Sequence, residues 1–236
     1  MCDAIPWSTR VVGNRTLAMT HTGSSPLSNL EPSHLRNKLS GRWLYLLGDS
    51  SGRGLWLSLY QQLMAACDHM DLKVWLGPSL ASANGRINFK DLAWADVVMD
   101  SAGNPVAVES RVESGHHTWG SPAIDASNAQ PSAAAWAAGR QAGHIRLSYR
   151  FVGLTKFIQE DPFTELRQST DGVAPNFHIL QAGSWEHANF TTPELYAERL
   201  RDAIRAWIQT AASAQRTRPR PTRLAFVTMP VAYHEG

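Results

Sequence analysis

Trp43-Leu44-Tyr45-Leu46-Leu47 is an unbroken apolar run closed by Gly48 and Asp49. A half-exposed strand would alternate apolar and polar side chains, so this run predicts a strand buried on both faces. Directly after it, Leu55, Leu59 and Leu63 recur at helical spacing with Trp56, Tyr60 and Met64 beside them, and Ser50 or Ser51 is placed to cap the first turn. Shorter apolar runs predict further strands at residues 72–76, 92–100, 106–108, 177–180 and 224–228. The pattern leaves open whether residues 92–108 join the main sheet or form a local hairpin. From His144 to Val152 the pattern alternates, with Ile145, Leu147, Tyr149 and Phe151 on one face and Arg146 and Arg150 on the other, which predicts a half-buried strand.

Helices are predicted between the strands. Residues 154–166 read as a connecting helix interrupted at Asp161-Pro162. From Thr192-Pro193-Glu194 a longer one begins, with a Thr cap, Pro at the first position and an acidic first turn. Its stripe of Tyr196, Leu200, Ala203, Ile204, Trp207 and Ile208 is expected to face the sheet, leaving Glu198, Arg199, Arg201, Asp202 and Arg205 to water. Strand and helix alternating in this way predict an α/β fold, a mostly parallel sheet with helices on both faces. Residues 1–40 are polar and broken by Thr22-Gly23-Ser24-Ser25-Pro26 and Glu31-Pro32-Ser33, so they read as an arm laid over a domain formed by residues 41–236. Residues 113–143 are rich in Ser, Ala, Gly and Pro and read as a long loop insertion over the sheet's edge, with one helical turn or two.

Composition narrows the classes. A chain of 236 residues, 43% hydrophobic, can bury the core of one α/β domain. With 22 basic and 20 acidic residues the net charge is +2, which asks for neither a nucleic acid nor an anionic membrane as partner. The basic run Arg216-Thr217-Arg218-Pro219-Arg220 has no interleaved aromatics and reads as a solvated loop. No run of about 18 apolar residues is present, and the first residues lack the basic region and apolar core of a secretory signal, so the chain as given reads as soluble, in a compartment the sequence leaves unknown. Cys2 and Cys67 form neither a metal pattern nor a disulfide framework and are expected as free thiols. His116 and His117 are adjacent and would point in different directions, so no metal site is expected there, and no cofactor is implied anywhere.

The candidate chemistry sits where the first strand gives way to its helix. A serine at the tip of a buried strand and at the positive end of a helix is placed where an attacking alkoxide and a developing oxyanion are both favoured. The competing reading is that Gly48-Asp49-Ser50 is only a turn, since these residue types dominate turns for conformational reasons. Asp49 reads as a turn former that fixes the Ser50 loop by accepting backbone hydrogen bonds. Arg53 has two open readings, stabiliser of an anionic intermediate or ion pair within the fold.

Gly48-Asp49-Ser50 followed by Arg53 resembles the first block of the GDSL/SGNH hydrolases, in the version used by the PC-esterase group, which includes the glycan O-acetyltransferase-like proteins. The alternating stretch 146–151 resembles the Arg-x-x-Tyr/Phe-Arg-Phe segment of that group, and Pro175-Asn176 through Gly183-Ser184-Trp185-Glu186 resembles its third block. The strand running into Met229-Pro230 is also similar. The resemblance implies a three-layer SGNH-like sandwich of flavodoxin-like topology, with Ser50 as nucleophile and Gly183, Ser184 and Trp185 contributing to the oxyanion hole or substrate site. Trp185 also has a reading as core packing. The match is partial: Asn176 replaces the usual Asp, and Glu186 stands where the family has Asp or Asn and, as a carboxylate, cannot donate a hydrogen bond.

A serine nucleophile needs a base, ordinarily a histidine oriented by a carboxylate. The family draws both from an Asp-x-x-His beyond the Met-Pro strand; no such motif follows Met229, which makes the chain read as truncated or as having lost its base. His187, His178 and His234 are the histidines expected near strand ends facing Ser50, with His187 and His234 the candidate bases. The implied function is an esterase or acyltransferase acting on an acyl ester, an O-acetyl ester included, of a small molecule or glycan through a Ser50 acyl-enzyme. The alternative is a binding or scaffold protein on the same fold, without turnover. A nucleotide-binding domain is disfavoured, because Gly-Asp-Ser-Ser-Gly-Arg lacks the glycine spacing and lysine of a phosphate loop.

Overall fold

The apolar run before Gly48 forms the strand at the centre of a six-stranded sheet, seen here in a computed structural model that describes residues 31–65, 92–112, 131–153, 175–182, 192–215 and 222–228. Within these the chain runs α1 (Pro32–Leu39), β1 (Trp43–Gly48), α2 (Ser50–Leu63), β2 (Leu92–Met99), β3 (Pro105–Val112), α3 (Pro131–Gly139), β4 (Ile145–Phe151), β5 (Phe177–Ala182), α4 (Pro193–Gln215) and β6 (Arg223–Thr228). The strand order is β3-β2-β4-β1-β5-β6. β1 pairs in parallel with β4 on one side and β5 on the other, and β5 pairs in parallel with β6. β2 is antiparallel to both β3 and β4, so residues 92–112 form a hairpin that also extends the main sheet. The architecture is therefore α/β with a mostly parallel sheet.

Every residue of β1 is buried, as an uninterrupted apolar run between two helical layers requires. Leu44 and Leu46 point to one face with Ile145, Leu147, Tyr149, Ala95 and Val97, under Trp56, Tyr60 and Leu63 of α2. Trp43, Tyr45 and Leu47 point to the other with Val98 and Leu180, under Trp136 of α3 and Ala203 and Trp207 of α4.

Several local expectations are corrected. Pro32 does not break structure; it opens α1, where a missing N–H costs nothing, and Leu35 and Leu39 pack on the α2-side core. Arg36 of α1 donates to the Leu63 carbonyl at the end of α2, 3.3 Å away. The Ala-rich stretch, expected as a loop insertion with one helical turn or two, carries a nine-residue helix, α3, because the wholly buried Trp136 anchors it on the sheet; a short 3-10 turn, Arg140–Ala142, follows. Residues 113–130 lie outside the described residues, as do the strand at 72–76, the helix at 154–166, the basic run at 216–220, Cys2, Cys67, His116 and His117.

β4 is not half-exposed. Arg146 is buried against Asp96 of β2, its Nε 3.0 and 3.1 Å from the two carboxylate oxygens and its Nη2 on Oδ2. Ser148 donates to Asp96 Oδ1 at 2.8 Å and accepts from Trp43 Nε1 at 2.8 Å, and the Arg146 guanidinium lies over the Trp43 ring. Alternation was the right signal for strand, and the polar positions alternate into a second buried face where partners neutralise them. In α4 the stripe is narrower than expected: Ala203 and Trp207 are buried, whereas Ile208 is about half exposed at 51%.

Candidate functional site

All four parallel strands point the same way, so the carboxyl ends of β1 (Gly48), β4 (Phe151), β5 (Ala182) and β6 (Thr228) share one edge of the sheet. β1 has parallel neighbours on both sides, and the chain passes from β1 to β2, β3 and β4 on one side before crossing to β5 and β6 on the other; ligands of open α/β sheets bind where the strand order reverses in this way. Ser50 stands here, as the first residue of α2.

The helix start is built by residues around the serine. Asp49, fully buried, is the N-cap, its Oδ1 accepting from the Ser51 N–H at 2.7 Å, so the cap is Asp49 and neither serine. Gln181, near the end of β5, reaches under the turn, and its Oε1 accepts from the N–H groups of Asp49 and Gly52, each at 3.1 Å. Arg53 N–H closes the first helical bond to the Asp49 carbonyl at 2.9 Å. From β4, the Tyr149 hydroxyl shares its proton between the carbonyls of Gly48 (3.1 Å) and Asp49 (3.0 Å). Burial pushes the Tyr149 phenol well above its ordinary range, so it stays a donor at any working pH. What remains of the turn is Ser50. It is half-buried, and no described residue hydrogen-bonds its hydroxyl or its amide.

Gly48 and Gly52 are small because the Gln181 carboxamide is close. A Cβ on Gly48 would lie 2.8 Å from Gln181 Oε1 and 3.0 Å from the Gly52 Cα; one on Gly52 would lie 3.0 Å from the same oxygen. Arg53 is buried within the edge: its Nη1 is 3.5 Å from the Leu92 carbonyl and its guanidinium is 5.9 Å from the centre of the Phe151 ring. These contacts set the Arg53 side chain between β2 and β4.

The sequence expectations divide accordingly. Gly48, Asp49, Ser50 and Arg53 are brought together at the carboxyl edge. Gly183, Ser184, Trp185, His187 and His234 lie outside the described residues. The expectation for His178 is overturned. It is the second residue of β5, toward the opposite edge from Ser50, stacked on Tyr45 and accepting from Trp207 Nε1 at its Nδ1, 2.8 Å away. Indole can only donate, so Nδ1 is the bare nitrogen, and burial lowers the imidazole pKa to about 3. A histidine held neutral in the core is no base for Ser50. Asn176 likewise serves the opposite edge, its Oδ1 accepting from the Trp43 N–H at 2.8 Å where β1 begins.

Gln181 and Tyr149 are the site residues that sequence reasoning missed. Both sit in runs that read as strand, and nothing in a single sequence marks which strand residue ends beneath a neighbouring turn. The nearest signal was Gly48 and Gly52, spaced to admit a side chain between them. Among the described residues no helix is long and apolar enough to cross a membrane, and no group of His, Cys, Asp or Glu could hold a metal ion. No protein-family model, curated protein or solved structure matches the chain.

Proposed function

We propose that this chain is a serine-dependent ester hydrolase or acyltransferase that works through an acyl-enzyme on Ser50. The observation that carries the reading is the placement of Ser50: it opens a helix at the carboxyl edge of the central parallel strand, with hydroxyl and amide bonded by no described residue while the neighbouring amides of the turn are all bonded. The parallel strands taken alone run β4-β1-β5-β6, second-first-third-fourth in chain order, which is the start of a flavodoxin-like sheet and supports the SGNH-like sandwich that the Gly48-Asp49-Ser50…Arg53 resemblance implies.

In this reading the Ser50 oxygen attacks the acyl carbon, its proton passes to a base, and the carbonyl oxygen becomes an oxyanion beside the Ser50 N–H and the positive end of α2. The alcohol of the ester then leaves with a proton, and water or a second alcohol takes the acyl group from Ser50. Gly183 and Ser184, which directly follow the end of β5 in sequence, are the proposed further donors, with Trp185 at the substrate. His187 is the proposed base and His234 its alternate. The substrate class is an acyl ester, an O-acetyl group on a small molecule or glycan included.

A fluorophosphonate probe tests the reading. Covalent labelling of the wild-type chain that disappears in Ser50→Ala is expected; a folded wild-type chain that stays unlabelled sinks it. A second reading, a binding or scaffold protein without turnover, is favoured by the described histidines. His144 and His178 lie at the amino ends of β4 and β5, and α1, which carries His34, docks through Arg36 on the far end of α2. Under that reading the probe leaves Ser50 unmodified while an acylated glycan still binds.

A further inference from the structure

Three amide N–H groups of the Ser50 turn are already committed, and which side chain commits them decides what is left for a substrate. The Ser51 amide belongs to the Asp49 cap. Those of Asp49 and Gly52 both belong to one atom, Gln181 Oε1. Two N–H donors converging on one carboxamide atom identify it as the oxygen, so the orientation of the Gln181 amide is fixed by its partners.

We infer that Gln181 is the positioning residue of the candidate nucleophile: its carboxamide oxygen locks the amides on either side of Ser50 and leaves the Ser50 N–H, which no described residue engages, as the donor of the turn offered to an acyl oxygen. The inference rests on the serine-esterase reading for its catalytic meaning. Gln181 is 1% exposed, so it acts through the turn and does not touch substrate. Its own Nε2 is buried with no partner among the described residues, so the side chain is held in place for what its oxygen does. The arrangement is reciprocal. Gly48 and Gly52 give up side chains so that the oxygen can approach, with only 2.8 and 3.0 Å left to the Cβ that any other residue would bring. From the other side, Tyr149 holds the carbonyls of Gly48 and Asp49. The turn is thus clamped through its amides by β5 and through its carbonyls by β4, the two parallel neighbours of β1. With donors and acceptors fixed from opposite sides, the Ser50 Cα has little freedom to move relative to an acyl group, which is the positional demand of an attacking oxygen.

The experiment compares Gln181→Met, close in size but without an acceptor, with Gln181→Glu, which keeps an oxygen in the same place, and with Gly52→Ala, which crowds the same oxygen from the helix side. Amide hydrogen exchange followed by NMR reads the clamp directly. In Gln181→Met the Asp49 and Gly52 amides should exchange about tenfold faster or more, as the loss of a buried hydrogen bond implies, while amides of β1 keep their protection. The fluorophosphonate labelling rate at Ser50 should fall about tenfold or more in Gln181→Met and in Gly52→Ala, and return to within about threefold of wild type in Gln181→Glu. Unchanged exchange at both amides in Gln181→Met overturns the inference. So does labelling at the wild-type rate in a variant whose amides have been released, or a Gln181→Glu chain as slow as Gln181→Met. If the wild-type chain itself is never labelled, the esterase reading is what has failed. The exchange result then decides the clamp alone: acceleration at the two amides upholds it and no acceleration overturns it.

Discussion

The two faces of the sheet keep their polar groups in different places. On the face under α3 and α4 they lie in the middle: Asp96, Arg146, Ser148 and the Trp43 indole form one chain of hydrogen bonds, and His178 bonds the Trp207 indole. On the face under α2 the middle is lined by Leu44, Leu46, Val97, Ile145 and Leu147, and polarity gathers at the carboxyl edge around Ser50. The first arrangement pairs opposite charges in the core. A buried arginine and carboxylate satisfy each other, which costs desolvation and fixes how β2 registers on β4. The second clamps the turn around Ser50 through Gln181 and Tyr149, while Ser50 is bonded by no described residue and the buried Trp56 Nε1, Tyr60 hydroxyl and Gln181 Nε2 have no hydrogen-bond partner among the described residues. Comparing them separates charged groups that burial obliges to find partners from Ser50, which sits half-buried at the rim and is bonded by no described residue.

That contrast can be broken most forcefully at Asp96. Replacing it with Ala strands the Arg146 guanidinium in the core and should cost about 3–5 kcal/mol of unfolding free energy by urea titration, whereas an apolar replacement of both partners should recover most of the loss. A single substitution costing under about 1 kcal/mol would mean that the network is not closed from solvent.

His178 gives a pH signature to the same face. Its folded pKa of about 3 lies below the ordinary 6.5, so in the window between them the unfolded chain takes up a proton that the folded chain refuses. Stability attributable to His178 is therefore complete above the unfolded value and falls as pH drops. Between pH 7 and pH 5 the wild type should lose about 2 kcal/mol more than His178→Gln, at a limiting slope of about 1.4 kcal/mol per unit. Parallel curves for the two chains would show that the imidazole is solvated.

Effects at the rim should be smaller for stability and larger for chemistry. Tyr149→Phe removes the donor shared by the Gly48 and Asp49 carbonyls and should cost about 1 kcal/mol, with slower labelling of Ser50. Ser50→Ala should change stability by less than about 0.5 kcal/mol, since no described residue bonds the hydroxyl, while it abolishes labelling. A loss above about 1 kcal/mol there would make Ser50 a structural partner like the others and erase the difference between the faces.

The sequence by itself determined where the central strand, the helix after it and the long helix from Pro193 lie, and where the candidate site is. The apolar run at 43–47, the helical spacing from Leu55 and the cap signals at Thr192-Pro193 depend on neighbours in the chain, and each appears in the structure as β1, α2 and α4. Gly48, Asp49 and Ser50 were legible for the same reason, because a strand end, a turn and a helix cap are local events. What tertiary structure alone decided is who meets whom. Arg146 read as a solvent-facing residue until β2 brought Asp96 beside it, His178 read as a site residue until β5 carried it to the opposite end of the sheet, and Gln181 had no role until β5 lay against β1. A single sequence records each residue's own preference for water, but pairing between residues 50 to 132 positions apart depends on strand order, which no local pattern encodes.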